Sequence, residues 1–180
     1  SDGEAVPVVQ EYLRAGYHAF VLRYSVGWEN AVWPNPLEDY DQAMELIAAH
    51  AKEWHLIPEK IAVIGFSAGG HLAACAATMA KHRPAAAILA YPVILEGLAA
   101  ICAKGAPGAD KAVDSQTCPC FIAATGTDTM VSAMNSLRFV EALYENGISA
   151  ELHLYAFGPH GFSTARTSIA DPAELCSRTL

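Results

Sequence analysis

Short apolar runs recur along this chain, separated by stretches in which the apolar residues fall every three or four positions. Val9, Tyr12 and Leu13 have helical spacing within residues 4–15, and Gly16 stands where a helix C-terminal cap would fall. YHAFVLRY at 17–24 then predicts a strand, so a helix feeds a strand. Beyond a loop that carries Trp28 and Trp33, Asn35 is placed to cap a helix with Pro36 at its first position and Glu38 in its first turn. Ala43, Met44, Ile47, Ala51 and Trp54 mark the apolar face of that helix, and LIPEK at 56–60 ends it. A buried strand at 61–64, a helix from 68 to about 81, a strand AAAILAY at 85–91 and a glycine- and alanine-rich connection at 92–117 follow. PCFIAAT at 119–125 predicts the next strand. Leu137, Val140, Leu143 and Tyr144 outline a helix closed by Gly147, and SAELHLYA at 149–156 alternates like a half-exposed strand near a sheet edge. DPAELCSRTL at 171–180 starts a further helix. Strands that alternate with helices, most of them apolar on both faces, predict an α/β fold: a mostly parallel sheet with helices on both faces.

Composition narrows the function. The chain has 180 residues, 53% of them hydrophobic and 17% charged, which suits one globular domain with an ordinary core. A net charge of -8, with no cluster of Lys and Arg, speaks against nucleic acid as a partner. Apolar stretches fall short of the roughly 18 residues that a membrane span needs. The acidic start SDGEAVPVVQ is unlike a signal peptide, so the expectation is a cytoplasmic protein with no membrane partner. Cys75, Cys102, Cys118, Cys120 and Cys176 form no CxxC pair and read as free thiols; neither a metal nor a cofactor is expected.

The chemistry concentrates in KIAVIGFSAGGHLAACAA, residues 60–77. Gly65-Phe66-Ser67-Ala68-Gly69 matches G-x-S-x-G, with a predicted strand before it and a helix after it. A serine held on so sharp a turn has strained backbone angles, and flanking glycines let helix and strand approach. The helix N-terminus then turns free N–H groups toward an oxyanion formed at Ser67, with the Ala68 N–H as the natural donor. The plainer alternative is a serine helix cap in a glycine-rich turn.

A serine nucleophile needs a base. His160, in AFGPHGF, is the histidine that occupies a loop just beyond the C-terminal end of a predicted strand, where the active-site residues of open parallel sheets gather. His71 is nearer in sequence, but it lies one turn into the helix and is expected to pack or hydrogen-bond beneath the site. Asp128, directly after the strand at 119–125, is the candidate acid, with Asp110, Asp114 and Asp171 as competitors. The chain order Ser, Asp, His is that of α/β-hydrolases.

GYHAFVLRYSVG, WPNPLEDYDQAMELI, PEKIAVIGFSAGGHLAA, YPVI, GTDTMV, NSLRFVEAL and GPHGF, in that order, resemble the α/β-hydrolases of the small bacterial esterase group, which includes acetyl-xylan-esterase-like and hormone-sensitive-lipase-like enzymes. The resemblance implies ester hydrolysis without a cofactor, with Ser67 as nucleophile, His160 as general base and then acid, and Asp128 fixing the imidazole tautomer. Substrates implied are small short-acyl esters, acetylated sugars among them, with Trp28 and Trp33 near the sugar; ordinary packing at a loop base is the plainer role for these tryptophans. A peptidase or amidase related to prolyl oligopeptidases has the same triad order, and a non-catalytic fragment or binding module is the third reading. An oligomer is compatible with each. Such enzymes carry an HGGG-like oxyanion segment after an early strand, which this sequence lacks. Its predicted strands correspond to the fourth through eighth of the fold, in which another strand lies between 17–24 and 61–64. The expectation is therefore an N-terminally incomplete domain. Those two segments should stand about 10 Å apart, twice the usual strand spacing. The connection at 92–117 is short for a lid or cap region, which favours short acyl groups.

Overall fold

A computed structural model describes residues 2–27 and 29–163. Its helices are α1 (Asp2–Arg14), α2 (Asn35–Ala49), α3 (Ser67–Met79), α4 (Glu96–Cys102) and α5 (Met134–Glu145). The strands β1 (Ala62–Phe66), β2 (Ala86–Ala90), β3 (Cys120–Thr125) and β4 (Ala150–Tyr155) form one parallel sheet in the order β1-β2-β3-β4. Consecutive parallel strands need a crossover each, and α3, the segment 91–119 and α5 provide them. β2 and β3, flanked on both sides, are the mostly buried strands, while β1 and β4 form the edges and are largely half-buried or exposed; the alternation expected of β4 does not extend past Leu152, since Leu154 and Tyr155 are both exposed.

The helix next to the candidate serine is built almost wholly from small residues. Ala73, Ala74, Cys75, Ala76 and Ala77 are all buried, so α3 lies deep against β1 and β2. Alanine favours the helix intrinsically and leaves room for that close approach. Leu89, Ile94, Ile122, Phe139 and Leu143 fill the core on the same side.

Register sets where the chemistry can gather. Phe66 pairs with Ala90, Ala90 with Ala123 and Ala123 with His153, so one transverse row runs through the C-terminal parts of all four strands. β1 and β2 end on that row, while β3 and β4 run two residues further. The segments that begin at Ser67, Tyr91, Gly126 and Ala156 therefore open on one end of the sheet.

Three expectations need correction, and one alternative falls. Residues 17–24 form no strand: the segment follows α1 without regular structure or ladder bonds, and Tyr17, Phe20 and Val21 stand half or more exposed. A segment becomes a strand only beside a partner, and β1 pairs with β2 alone. Asn35 does not cap α2. Pro34 holds the cap position, its carbonyl accepting from the N–H groups of Leu37 (2.8 Å) and Glu38 (3.1 Å), while Asn35 is the first helical residue and donates its side-chain amide to the Asn30 carbonyl. The same helix stops at Ala49, short of Trp54, whose ring stacks on His50 across the following turn at 4.6 Å. Ser67 is not a helix cap either, since Phe66 takes that position without a side-chain bond. The predicted helix at 171–180, with Asp171 and Cys176, and the candidate Trp28 lie outside the described residues. No described helix is long and apolar enough to cross a membrane.

Candidate active site

Ser67 sits between β1 and α3 with φ of +52°, a left-handed conformation that a residue with a Cβ adopts at a cost. Two glycines make the turn possible, Gly65 and Gly70, of which only the first belongs to the motif. A Cβ on Gly65 would lie 2.2 Å from the Gly69 carbonyl oxygen and 2.7 Å from Ala73 Cβ, and one on Gly70 would lie 2.8 Å from Pro92 Cα. Gly69 has room, its nearest neighbour being the Tyr24 hydroxyl at 3.5 Å. Gly65→Ala and Gly70→Ala are thus expected to destabilise the fold by about 1–3 kcal/mol or more through overpacking, and Gly69→Ala by much less. Thermal unfolding of the three variants checks this, and equal losses at 69 and 70 would refute the packing account.

The loops after β3 and β4 bring the other two candidates to the serine. His160 Nε2 lies 2.8 Å from Ser67 Oγ, and His160 Nδ1 lies 2.7 Å from Asp128 Oδ2. The Asp128 side chain is almost wholly buried, its second oxygen accepting from the backbone N–H groups of Met130 and Val131, each at 2.8 Å. Those two donors stabilise a carboxylate and fix its plane. Asp110 and Asp114 are placed elsewhere: Asp110 stands beside Lys111, and Asp114 binds Arg83, whose guanidinium holds the Asp114 carboxyl well below the usual carboxylate range.

His71, the rival base, is buried with Nε2 2.8 Å from the Pro107 carbonyl oxygen. Burial lowers its pKa, the Pro107 bond opposing that shift, and the ring lies edge-on to Trp33 with centroids 6.0 Å apart. Of the cysteines, Cys75 beside His71 is free and its thiol is pushed up to about 12 by burial, so it is an inert packing group. No group of three or more His, Cys, Asp or Glu among the described residues is placed to hold a metal ion.

Several residues that no motif singles out hold the site together. The Val93 N–H donates to the Ser67 carbonyl oxygen at 3.0 Å, which ties the strained turn to the chain leaving β2. Asn135, buried at the start of α5, accepts from the N–H groups of Ile94 and Leu95 through Oδ1, each at 2.9 Å, and donates to the Ser132 carbonyl in the Asp128 loop. Thr125 and Thr127 donate to the Gly158 carbonyl at 2.9 and 3.0 Å, and the Gly158 N–H returns a bond to Thr127 Oγ1, which clamps the loop leading to His160. A side chain at Gly158 would meet Thr125 Cγ2 at 2.6 Å. Sequence carries a signal for these residues only in the turn-forming GTDT and GPHG, because each acts through a contact with a distant segment.

Beside Ala68 a cavity of about 60 Å³ opens, lined by Tyr24, Trp33, Leu72, Cys102 and Ala103 among others. Trp33 is thus in the wall of a space next to the candidate serine.

The same fold occurs in solved α/β hydrolases. The MGS-M1 α/β hydrolase from a Medee basin deep-sea metagenome library is 42% identical with a TM-score of 0.82, over 93% of this chain and 66% of that one. The acetyl ester-xyloside bifunctional hydrolase of Caldicellulosiruptor lactoaceticus is 30% identical with a TM-score of 0.83, over 99% and 76%. The chain is also 30% identical to the acetylxylan esterase of Xylanibacter ruminicola, over 71% of this chain and 31% of that protein. It spans about a third of the length of the curated relatives it matches over most of its length. Fold and relatives define an α/β hydrolase. Within that class the chain belongs to the BD-FAE family, whose family model matches residues 1–96.

Proposed function

We propose that this chain carries the reaction centre of a serine esterase that cleaves small carboxylic esters through an acyl-enzyme on Ser67. The observation that carries the reading is the pair of contacts on one imidazole, 2.8 Å from Nε2 to Ser67 Oγ and 2.7 Å from Nδ1 to Asp128. Asp128 accepts a hydrogen bond from Nδ1–H, which keeps the proton on that nitrogen and leaves Nε2 unprotonated facing the serine. Nε2 takes the hydroxyl proton as Oγ attacks the ester carbonyl, and the carbonyl oxygen becomes an oxyanion at the first turn of α3. There the Ala68 N–H and the positive end of a 13-residue helix oppose the new charge. The imidazolium then protonates the departing alkoxide, and water repeats the sequence to release the acid.

The acyl group is short, and acetylated carbohydrate is the substrate class favoured by the names of two of the relatives. The leaving oxygen faces His160 in this reading, and we assign the acyl substituent to the cavity beside Ala68. On the scale of about 10–15 Å³ for one water-sized atom, that cavity takes only a few non-hydrogen atoms. The experiment is a panel of p-nitrophenyl esters from acetyl to octanoyl, with an acetylated xylo-oligosaccharide and a peptide amide. Acetyl should exceed octanoyl by at least about tenfold in kcat/KM, and Trp33→Ala should narrow that ratio by opening the cavity wall. Faster octanoyl turnover would reject the short-acyl assignment, and turnover of the amide in preference to every ester would favour a peptidase.

A further inference from the structure

Tyr91 takes no part in the steps above, yet three segments meet on it. It follows β2 directly, is 1% exposed and has φ of +39°, an unfavourable conformation for a bulky residue. Its N–H donates to the Ala123 carbonyl, and the chain two residues on donates to the carbonyl of Ser67, so the strained backbone is pinned on both sides. The ring stands edge-on to the His160 imidazole, with centroids 4.9 Å apart and planes at 69°, and edge-on to Phe162 at 4.7 Å. Its hydroxyl donates to Glu4 Oε1 on α1 at 2.9 Å and accepts from the Ser163 N–H at 3.2 Å. Burial, helped by Glu4, raises the phenol well above its ordinary range, so it remains a donor across any working pH.

Burial alone would not require this arrangement. An aromatic ring can fill a core from an ordinary backbone conformation, whereas here a strained one is retained where it aims the ring at an imidazole and the hydroxyl at the chain three residues beyond it. We infer that Tyr91, with Glu4, is the positioning residue for His160: the ring is the wall against which the imidazole rests, and the hydroxyl ties the His160 loop to α1. The inference rests on the reading of His160 as the base. Asp128 fixes one edge of the imidazole and the Thr125–Thr127 clamp fixes the chain before it. Tyr91 fixes the ring face and the chain after it.

The test uses Tyr91→Phe, which keeps the ring and deletes both hydrogen bonds, and Glu4→Gln, which keeps an oxygen acceptor. In Tyr91→Phe, kcat on p-nitrophenyl acetate should fall about tenfold with KM within about twofold, a loss on the scale of one or two net hydrogen bonds. The Ser163 amide and the His160 Nδ1 proton, followed by NMR, should exchange with water about tenfold faster. Glu4→Gln, which loses the charge but keeps an acceptor for the phenol, should move all three in the same direction as Tyr91→Phe and by less; no change in any of them would remove Glu4 from the assignment. Unchanged exchange of both protons in Tyr91→Phe overturns the inference whatever happens to activity, as does an unchanged kcat with only a lower unfolding midpoint. A parent chain that no fluorophosphonate labels would instead defeat the esterase reading, and the two exchange rates would still decide whether Tyr91 holds the imidazole.

Discussion

Ser67→Ala is expected to abolish ester turnover, by about 10⁴-fold or more, with the fold intact. Alanine at 67 meets the same +52° backbone as serine, and the Val93 bond to the carbonyl of residue 67 does not involve the side chain. The variant removes one oxygen and the hydrogen bond it makes to His160. Unfolding midpoints of parent and variant should therefore agree closely while turnover of p-nitrophenyl acetate and labelling by a fluorophosphonate both disappear. Parent-like turnover in the variant would exclude Ser67 as the nucleophile.

Asp128→Asn should cost about 10³ to 10⁴-fold in kcat, nearly as much, for a different reason. The asparagine carbonyl can still accept from the Met130 and Val131 amides, so the loop keeps its shape. Its NH₂ then faces His160 Nδ1, which must become the acceptor. The proton moves to Nε2, and the imidazole donates to Ser67 Oγ where it formerly accepted. A base that already holds its proton cannot take another. Because the geometry survives, KM should change little, and slow fluorophosphonate labelling should parallel the loss in kcat. An Asp128→Asn variant with more than a tenth of parental kcat would show that the tautomer is set by another group.

How much of this was legible in the sequence depended on whether a feature is local. The turn at Ser67 was readable because its requirements are written in adjacent residues: an apolar strand, a glycine-flanked serine and an alanine-rich helix. His160 and Asp128 were readable as candidates because each follows a recognisable strand at the same end of a parallel sheet. The segment at 17–24 was misread for the opposite reason. Its composition favours a strand, but pairing is a property of two segments, and β1 pairs only with β2. The packing role of Gly70 is not legible locally because its neighbour, Pro92, is 22 positions away, while Gly69 belongs to a motif whose last glycine has space around it. Tyr91, Asn135 and the threonine clamp were invisible on the same ground. Their side-chain hydrogen bonds reach partners 31 to 87 positions away, apart from the Asn135 bond to Ser132.

The distance along the chain between Ser67 and His160 also bears on how the molecule assembles. Their hydrogen bond spans 93 residues, and the Asp128 bond closes a further loop of 32. The Asp128 bond needs β3 paired with β4, and the Ser67 bond needs all four strands assembled, whereas the turns of α3 and α5 close over a few residues each. Contacts of such long range are the ones that chain entropy delays. In a refolding experiment, then, helical circular dichroism should recover first and ester turnover last, so that catalytic competence acts as a clock for the final closure of the sheet.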